Sequence, residues 1–352
     1  MALSRSSKYA ALFCILCFGL ASGMLYGFRN DLREERPDQP SPRTRWSSNN
    51  AMQRYRWHSW HAQLKRVAMN TTTPTTADLP RLVFVGDSIF ELLVGTALGQ
   101  LVRVKEDVPG LLKSVIGSKW TVPPLVLAAS GDQTQHVLWR LTHGELTPQV
   151  RADPNVIFIL HIGTNNLGRG HTPDQAATGI TAVASWLLAN TKGKLVLTTL
   201  LPRGDGAKNL PAMCPPRCGK DGRPFTSFLP AIKTVRATHD SALMPTEHKL
   251  LALTASRALQ VNGRIRGLAD QFAAGNDSNR VALVECGDIF LPNYTNASSA
   301  AAGNRSEVSA VLMPDALHPG REGYRALLTC LRGGLEQLQA GKTVASRISA
   351  PR

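Results

Sequence analysis

From residue 81 onward, short apolar runs rich in Val, Ile and Leu alternate with stretches of helical period. RLVFVG (81–86), PLVLAAS (124–130), NVIFILHIG (155–163), KLVLTTLLP (194–202) and RVALVE (280–285) are apolar at nearly every position. Runs of this kind mark strands buried on both faces, as in a parallel sheet. Residues 89–104, 133–144, 173–190, 246–273 and 320–339 have the pattern of the intervening helices. Five β/α units predict one doubly wound α/β domain over 81–340, with ligands bound beyond the carboxyl ends of the strands. The stretch GDGAKNLPAMCPPRCGKDGRPF (204–225) breaks the alternation, so a surface insertion is expected at about 205–257.

The first 80 residues follow other patterns. Residues 9–28, YAALFCILCFGLASGMLYGF, carry no charge and are long enough to span a bilayer as a helix. They predict a cytosolic tip and signal-anchor over 1–28, followed by a basic Pro/Ser/Thr-rich stem over 29–80. They thereby predict a single-pass type II membrane protein of the secretory pathway, with the 81–340 domain lumenal or extracellular. Cleavage near Ala21–Gly23 would instead give a secreted protein, and a buried N-terminal helix is the remaining reading. The basic aromatic stretch RYRWHSWHAQLKR (54–66) reads as a short membrane-surface helix or as a solvated stalk. Asn70, Asn276, Asn293, Asn296 and Asn304 each open an Asn-x-Ser/Thr sequon, and in a lumenal domain they are candidate glycosylation sites.

Composition adds bounds. With 352 residues, 43% of them hydrophobic, the chain has ample material for a core, which excludes whole-chain disorder. The net charge is +15, but residues 1–80 hold 11 basic against 5 acidic groups and the 341–352 tail adds three basic ones. Charge placed in the flanks argues against a nucleic-acid-binding face and for attraction to an anionic surface such as a membrane. Cys214 and Cys218, with two prolines between them, could close a tight disulfide in an oxidising lumen. Zinc with His239 and His248 is the sharper alternative, at a spacing wider than common zinc patterns. Cys286 and Cys330 either pair or stay as buried thiols.

Chemistry gathers at the strand ends. The first strand runs into Gly86-Asp87-Ser88, which places a serine where a helix begins and helix amides favour developing negative charge. The second ends in Ser130-Gly131-Asp132, where glycine lets the backbone approach a ligand. The third ends in Gly163-Thr164-Asn165-Asn166, where an Asn amide can face an oxyanion. Asp315 and His318 stand three apart just before the last helix, as a base and its orienting carboxylate require. Each feature alone reads as a cap or turn. All of them fall, in order, on the predicted ligand edge. His161, inside the third run, reads as a packed core histidine.

GDS (86–88), Gly131, GTNN (163–166) and DALH (315–318) together resemble the four blocks of the SGNH, or GDSL-type, hydrolases. GDQTQHVLWRLTHGEL (131–146), GTNN and LLPRG (200–204) most resemble the catalytic alpha subunits of platelet-activating factor acetylhydrolase. The resemblance implies a three-layer α/β/α sandwich with a flavodoxin-like five-stranded parallel sheet. It implies catalysis by Ser88, His318 and Asp315, with an oxyanion hole made by Ser88, Gly131 and Asn165, and no metal or other cofactor. It points to hydrolysis of short, acetyl-sized esters of a lipid or glycan, and a homodimer is suggested by the family alone. The same triad would also serve an O-acyltransferase acting on glycans, and a non-catalytic binding module is the third reading. Ala128-Ala129-Ser130 stands where the family is richer in glycine.

Overall fold

The computed structural model describes residues 36–44, 50–71, 75–103, 107–117, 120, 123–214, 221–225, 227–228, 232, 261–291, 308–341 and 348–349. The apolar run 9–28 lies outside the described residues, as do Cys218, His239, His248, Asn293, Asn296 and Asn304. Among the described residues, no helix is long and apolar enough to cross a membrane. The elements below all belong to one unit, Pro37–Arg352.

All five predicted strands form: β1 (Arg81–Gly86), β4 (Leu125–Ala128), β5 (Val156–His161), β6 (Lys194–Thr198) and β7 (Val281–Glu285). They are parallel throughout, and a two-residue strand β8 (Ile348–Ser349) adds a sixth member beside β7. The order is β4-β1-β5-β6-β7-β8, which is the flavodoxin-like arrangement with an edge strand from the segment read as a basic tail. Its switch point lies between β1 and β5, so their carboxyl ends frame the expected crevice. Alternate residues feed two cores. Val83, Val85, Leu125, Leu127, Phe158 and Leu160 belong to one, and Leu82, Phe84, Val126, Ile157 and Ile159 to the other. Burial on both faces is why these runs show no polar alternation.

Helices α4 (Thr134–Arg140), α7 (Pro173–Asn190), α9 (Val261–Ala274) and α10 (Arg321–Gln339) cover the sheet, and the short helices α3 (Val108–Leu111), α5 (Pro148–Ala152), α6 (Thr164–Gly168) and α8 (Gly206–Asn209) lie in the connections. The helix expected over 89–104 does not extend that far. Helix α2 is one turn, Ser88–Glu91, and a tight turn over Leu92–Val94 ends at Gly95 with φ of 74°. The chain then enters a hairpin of β2 (Thr96–Ala97) and β3 (Gln100–Leu101). Glu91 fixes this turn: its Oε1 accepts from the Gly99 N–H at 2.9 Å and the Thr96 hydroxyl at 3.1 Å.

Within the segment read as a stem, the described residues 50–69 pack into the domain. Helix α1 (Ala51–Met69) starts at Asn50, whose side chain accepts from the N–H groups of Met52 and Gln53. Trp57, Trp60, His61, Leu64 and Ala68 are buried along one face, at the spacing of an amphipathic helix. The Trp60 indole donates to the Ala128 carbonyl at 2.8 Å. Each tryptophan removes on the order of 150–250 Å² from water, about 4–6 kcal/mol of gross transfer energy. That outweighs solvation of the helix, so the 54–66 stretch is neither a stalk nor a membrane-surface helix. The Asn70 and Asn276 side chains are exposed.

Cys286, just after β7, is disulfide-bonded to Cys330 in α10, with Cα atoms 6.0 Å apart. Cys214 is also disulfide-bonded. Among the described residues no cluster of His, Cys, Asp or Glu could hold a metal ion.

Candidate active site

Strand β1 ends at Gly86, where a Cβ would lie 2.3 Å from the His161 carbonyl oxygen; only glycine allows this approach to β5. Asp87 caps α2 by accepting from the Ile89 N–H at 3.0 Å, which leaves Ser88 as the first helical residue. The Ser88 Oγ lies 2.9 Å from His318 Nε2, and His318 Nδ1 lies 2.7 Å from Asp315 Oδ2. Asp315 Oδ1 also accepts from the backbone N–H groups of Leu317 and His318 at 3.0 and 2.6 Å. The turn that aligns acid and base passes through Ala316 at φ of 61°, a left-handed conformation uncommon outside glycine. It is secured by the Gly204 N–H donating to the Ala316 carbonyl at 2.7 Å. The Tyr324 hydroxyl of α10 reaches the Ile89 carbonyl at 2.9 Å, which ties the last helix to the helix that carries Ser88.

Burial pushes the Asp315 carboxyl up, but the His318 ring and N–H and the Leu317 N–H outweigh it and hold the group well below the usual carboxylate range. Asp315 is therefore charged at neutral pH. Asp87 is the reverse case: burial pushes it up to about 7, against the Ile89 N–H and the nearby His318 and Arg203.

Gly131 and Asn165 share one cavity of ≈ 550 Å³ with Ser88, His318 and Asp315. Gly131 sits at φ of 79°. Asn165 Nδ2 donates to the Asp132 carbonyl at 2.9 Å and to Asp87 Oδ2 at 3.3 Å. The five predicted residues are thus brought together, although they come from four separate parts of the chain. His161 is elsewhere: its Nδ1 meets the Thr198 hydroxyl at 2.8 Å, and burial pushes it down to about 4. It is a neutral core residue.

Several residues around the site were not legible in sequence. Glu91 is fully buried and its Oε2 accepts from the Ser130 N–H at 2.6 Å, bracing the loop that carries Gly131. Asp132 accepts from Arg140 Nε at 2.7 Å, the Trp57 indole at 2.7 Å and Arg43 at 3.2 Å. Arg140 pairs in turn with Glu145, and His61 reaches the other oxygen of Glu145 at 2.8 Å. Arg203 pairs with Asp205 and donates to the Thr164 carbonyl at 2.8 Å, joining the loops after β5 and β6. For Glu91 and Arg140 the available signal was a charged residue inside an otherwise apolar helical pattern. Arg43, Gln53, Arg56 and Arg169 also line the cavity.

Residues 84–326 match the model of the GDSL-like lipase/acylhydrolase family. The chain is 34% identical over 128 residues to platelet-activating factor acetylhydrolase IB subunit alpha1 of Bos taurus, covering 36% of this chain and 45% of that protein. It is 35% identical over 129 residues to the alpha2 subunit of Gallus gallus, covering 36% and 46%. The matches thus span less than half the length of these curated relatives. A GDSL-like lipase from Bacteroides thetaiotaomicron aligns in structure with a TM-score of 0.43 and 17% identity, over 79% of this chain and 97% of that one. With the family match covering most of the chain, and the family's blocks gathered at the ends of β1, β4 and β5 and before α10, the chain belongs to the GDSL-like lipase/acylhydrolase family.

Proposed function

We propose that the chain is a serine esterase that removes short, acetyl-sized acyl groups. The observation that carries this reading is the Ser88–His318–Asp315 relay at 2.9 and 2.7 Å, opening into the cavity. Ser88 Oγ bonds to the ester carbonyl carbon while its proton passes to His318 Nε2. The tetrahedral oxyanion accepts from the N–H groups of Ser88 and Gly131 and from the Asn165 amide, whose 3.3 Å bond to Asp87 is the one an oxyanion would replace. Collapse breaks the bond to the alcohol, which leaves with the proton from His318. Water, deprotonated by His318, then attacks the acyl-enzyme and releases the acid. Asp315 stays ionised and orients the imidazole. Similarity to the acetylhydrolase subunits supports the acyl size.

We place the domain in an oxidising compartment. The Cys286–Cys330 bond and the exposed sequons at Asn70 and Asn276 support this reading.

The test is hydrolysis of aryl esters with acyl chains of two to twelve carbons by the full chain, beside Ser88→Ala. Short-chain turnover lost in the variant is the expected result. Turnover on long chains alone removes the acetyl assignment, and no Ser88-dependent turnover removes the esterase.

A further inference from the structure

The loop after β4 is a tight turn held by opposite charges on either side of one residue. The Asp132 N–H donates to the Ala129 carbonyl at 3.0 Å, which leaves Ser130 and Gly131 as the two central residues. Gly131 at φ of 79° suits the third position of a type II turn. The central peptide of such a turn, here the Ser130 carbonyl with the Gly131 N–H, makes no hydrogen bond within the turn. On one side of Ser130, Glu91 accepts from the Ser130 N–H at 2.6 Å. On the other, the Arg43 guanidinium donates to the Ser130 carbonyl.

Arg43 reaches this turn from a segment that precedes the sheet in the chain. The Ser41 N–H donates to the Gln135 carbonyl at 3.1 Å, and the Pro37 carbonyl accepts from the Thr134 hydroxyl at 2.7 Å, so the segment is anchored at the start of α4. The guanidinium carbon lies 6.0 Å from the centroid of the Trp57 ring, within reach of a cation–π contact. A Cβ on residue 131 would come within 2.9 Å of Arg43 Nη2, so glycine also makes room for the guanidinium. Asp132 alone does not account for the buried arginine. It accepts from Arg140 and from the Trp57 indole at 2.7 Å, and from Arg43 at the longer distance of 3.2 Å. Burial pushes the Arg43 guanidinium below its ordinary value and Asp132 opposes this; arginine remains charged.

A trans peptide points its C=O and N–H in opposite directions, so the bond from Arg43 fixes the Gly131 N–H as well. Rotating the central peptide would convert the type II turn to type I and reverse that N–H. A cation on the carbonyl also draws electron density from the peptide nitrogen, and hydrogen bonds chained through one group strengthen each other. We propose that Arg43 is a positioning residue for the oxyanion hole: its charge-assisted bond to the Ser130 carbonyl holds the Gly131 N–H toward the Ser88 cavity and makes it a stronger donor to the oxyanion. This rests on the esterase reading above and adds to it a residue from the N-terminal segment.

The test is hydrolysis of phenyl acetate by full-length wild type, Arg43→Gln and Arg43→Lys, with Ser88→Ala as the blank. Loss of a whole oxyanion donor costs about 10²–10³ in kcat. A variant that keeps the donor but loses the group that orients it should lose about tenfold in kcat, with KM unchanged. Arg43→Lys still offers a charged N–H and should recover most of that loss at neutral pH. A glutamine variant with wild-type kcat, or a lysine variant as slow as glutamine, overturns the proposal. Should Arg43→Gln fail to fold, the lysine variant carries the test through its pH profile. An ammonium buried between Asp132, Arg140 and Arg169 loses its proton far more readily than a guanidinium. Its kcat should therefore fall between about pH 8 and 10 while that of wild type does not; parallel profiles overturn the proposal. A further readout needs no turnover. Ser-Gly occurs at 22–23 and 130–131, so carbonyl-13C serine combined with 15N glycine reports those two peptides by NMR, and Gly23→Ala identifies the second. The Ser130 carbonyl carbon and the Gly131 nitrogen should both move upfield in Arg43→Gln and return toward wild type in Arg43→Lys. Unmoved signals overturn the proposal even if esters are hydrolysed. Wild type without Ser88-dependent turnover removes the esterase reading instead, and the labelled peptide then decides whether Arg43 holds Ser130.

Discussion

The Trp57 indole donates to Asp132 Oδ1 at 2.7 Å, so a helix that precedes the first strand supports the residue following Gly131. Asp132 in turn holds Asn165 through its carbonyl and Arg140 through its carboxylate. The N-terminal helix is thus coupled to both proposed oxyanion donors outside α2. Trp57→Phe keeps most of the apolar contact and loses the hydrogen bond to a charged acceptor. It should destabilise the chain by about 1.5–3 kcal/mol, read from urea midpoints. Deleting residues 1–80 removes Arg43, Trp57 and Trp60 together and should abolish cooperative unfolding. A truncated chain with the wild-type midpoint would show that α1 is dispensable.

Asn165→Ala should lower kcat by about 10²–10³ with little change in KM, because the amide acts on charge that exists only in the transition state. Asp315→Asn should lower kcat by about 10²–10⁴ by losing the imidazole's orienting acceptor. Circular dichroism should be unchanged in both. Near-wild-type turnover by either variant removes that residue from the mechanism.

Asp87 gives a pH signature of opposite sign to an ordinary paired carboxylate. Its folded value is about 7, whereas an unfolded Asp titrates near 3.9. Between these values the folded chain holds a proton that the unfolded chain does not, so this group lowers stability as pH rises. Asp87→Asn cannot ionise and retains a cap acceptor. Its stability relative to wild type should therefore rise by a few kcal/mol from about pH 4 to pH 8. A constant offset across that range in denaturant titrations contradicts the assignment.

The Cys286–Cys330 bond spans 44 residues of sequence. Loop-closure entropy sets its contribution at about 4 kcal/mol. Replacing both cysteines with alanine should lower the urea midpoint accordingly, and reduction of the wild type should move it the same way. No shift after complete reduction would mean that the covering helix α10 is held by packing alone.

The sheet was legible because parallel strands buried on both faces leave unbroken apolar runs, and β1, β4, β5, β6 and β7 all formed where such runs occur. The site blocks were legible because each follows a strand or precedes a helix, where a turn must supply Ser88, Gly131, Asn165 or His318. The length of α2 was not. The apolar period continues past Glu91, but a buried carboxylate bonded to Gly99 and Ser130 turns the chain into a hairpin. The role of residues 37–69 was also hidden, because basic and aromatic residues mixed at helical spacing read equally well on a membrane, in water or on protein. By itself the sequence determined the strands, their layering and the residue types at the crevice, since these depend on local period and turn chemistry. Only the tertiary structure decided that α1 closes one side of the site, that Cys286 meets Cys330, and that Arg43, Arg56 and Arg169 line the cavity that holds Ser88. Those are contacts between distant segments, set by complementary buried surfaces and charges that no local pattern encodes.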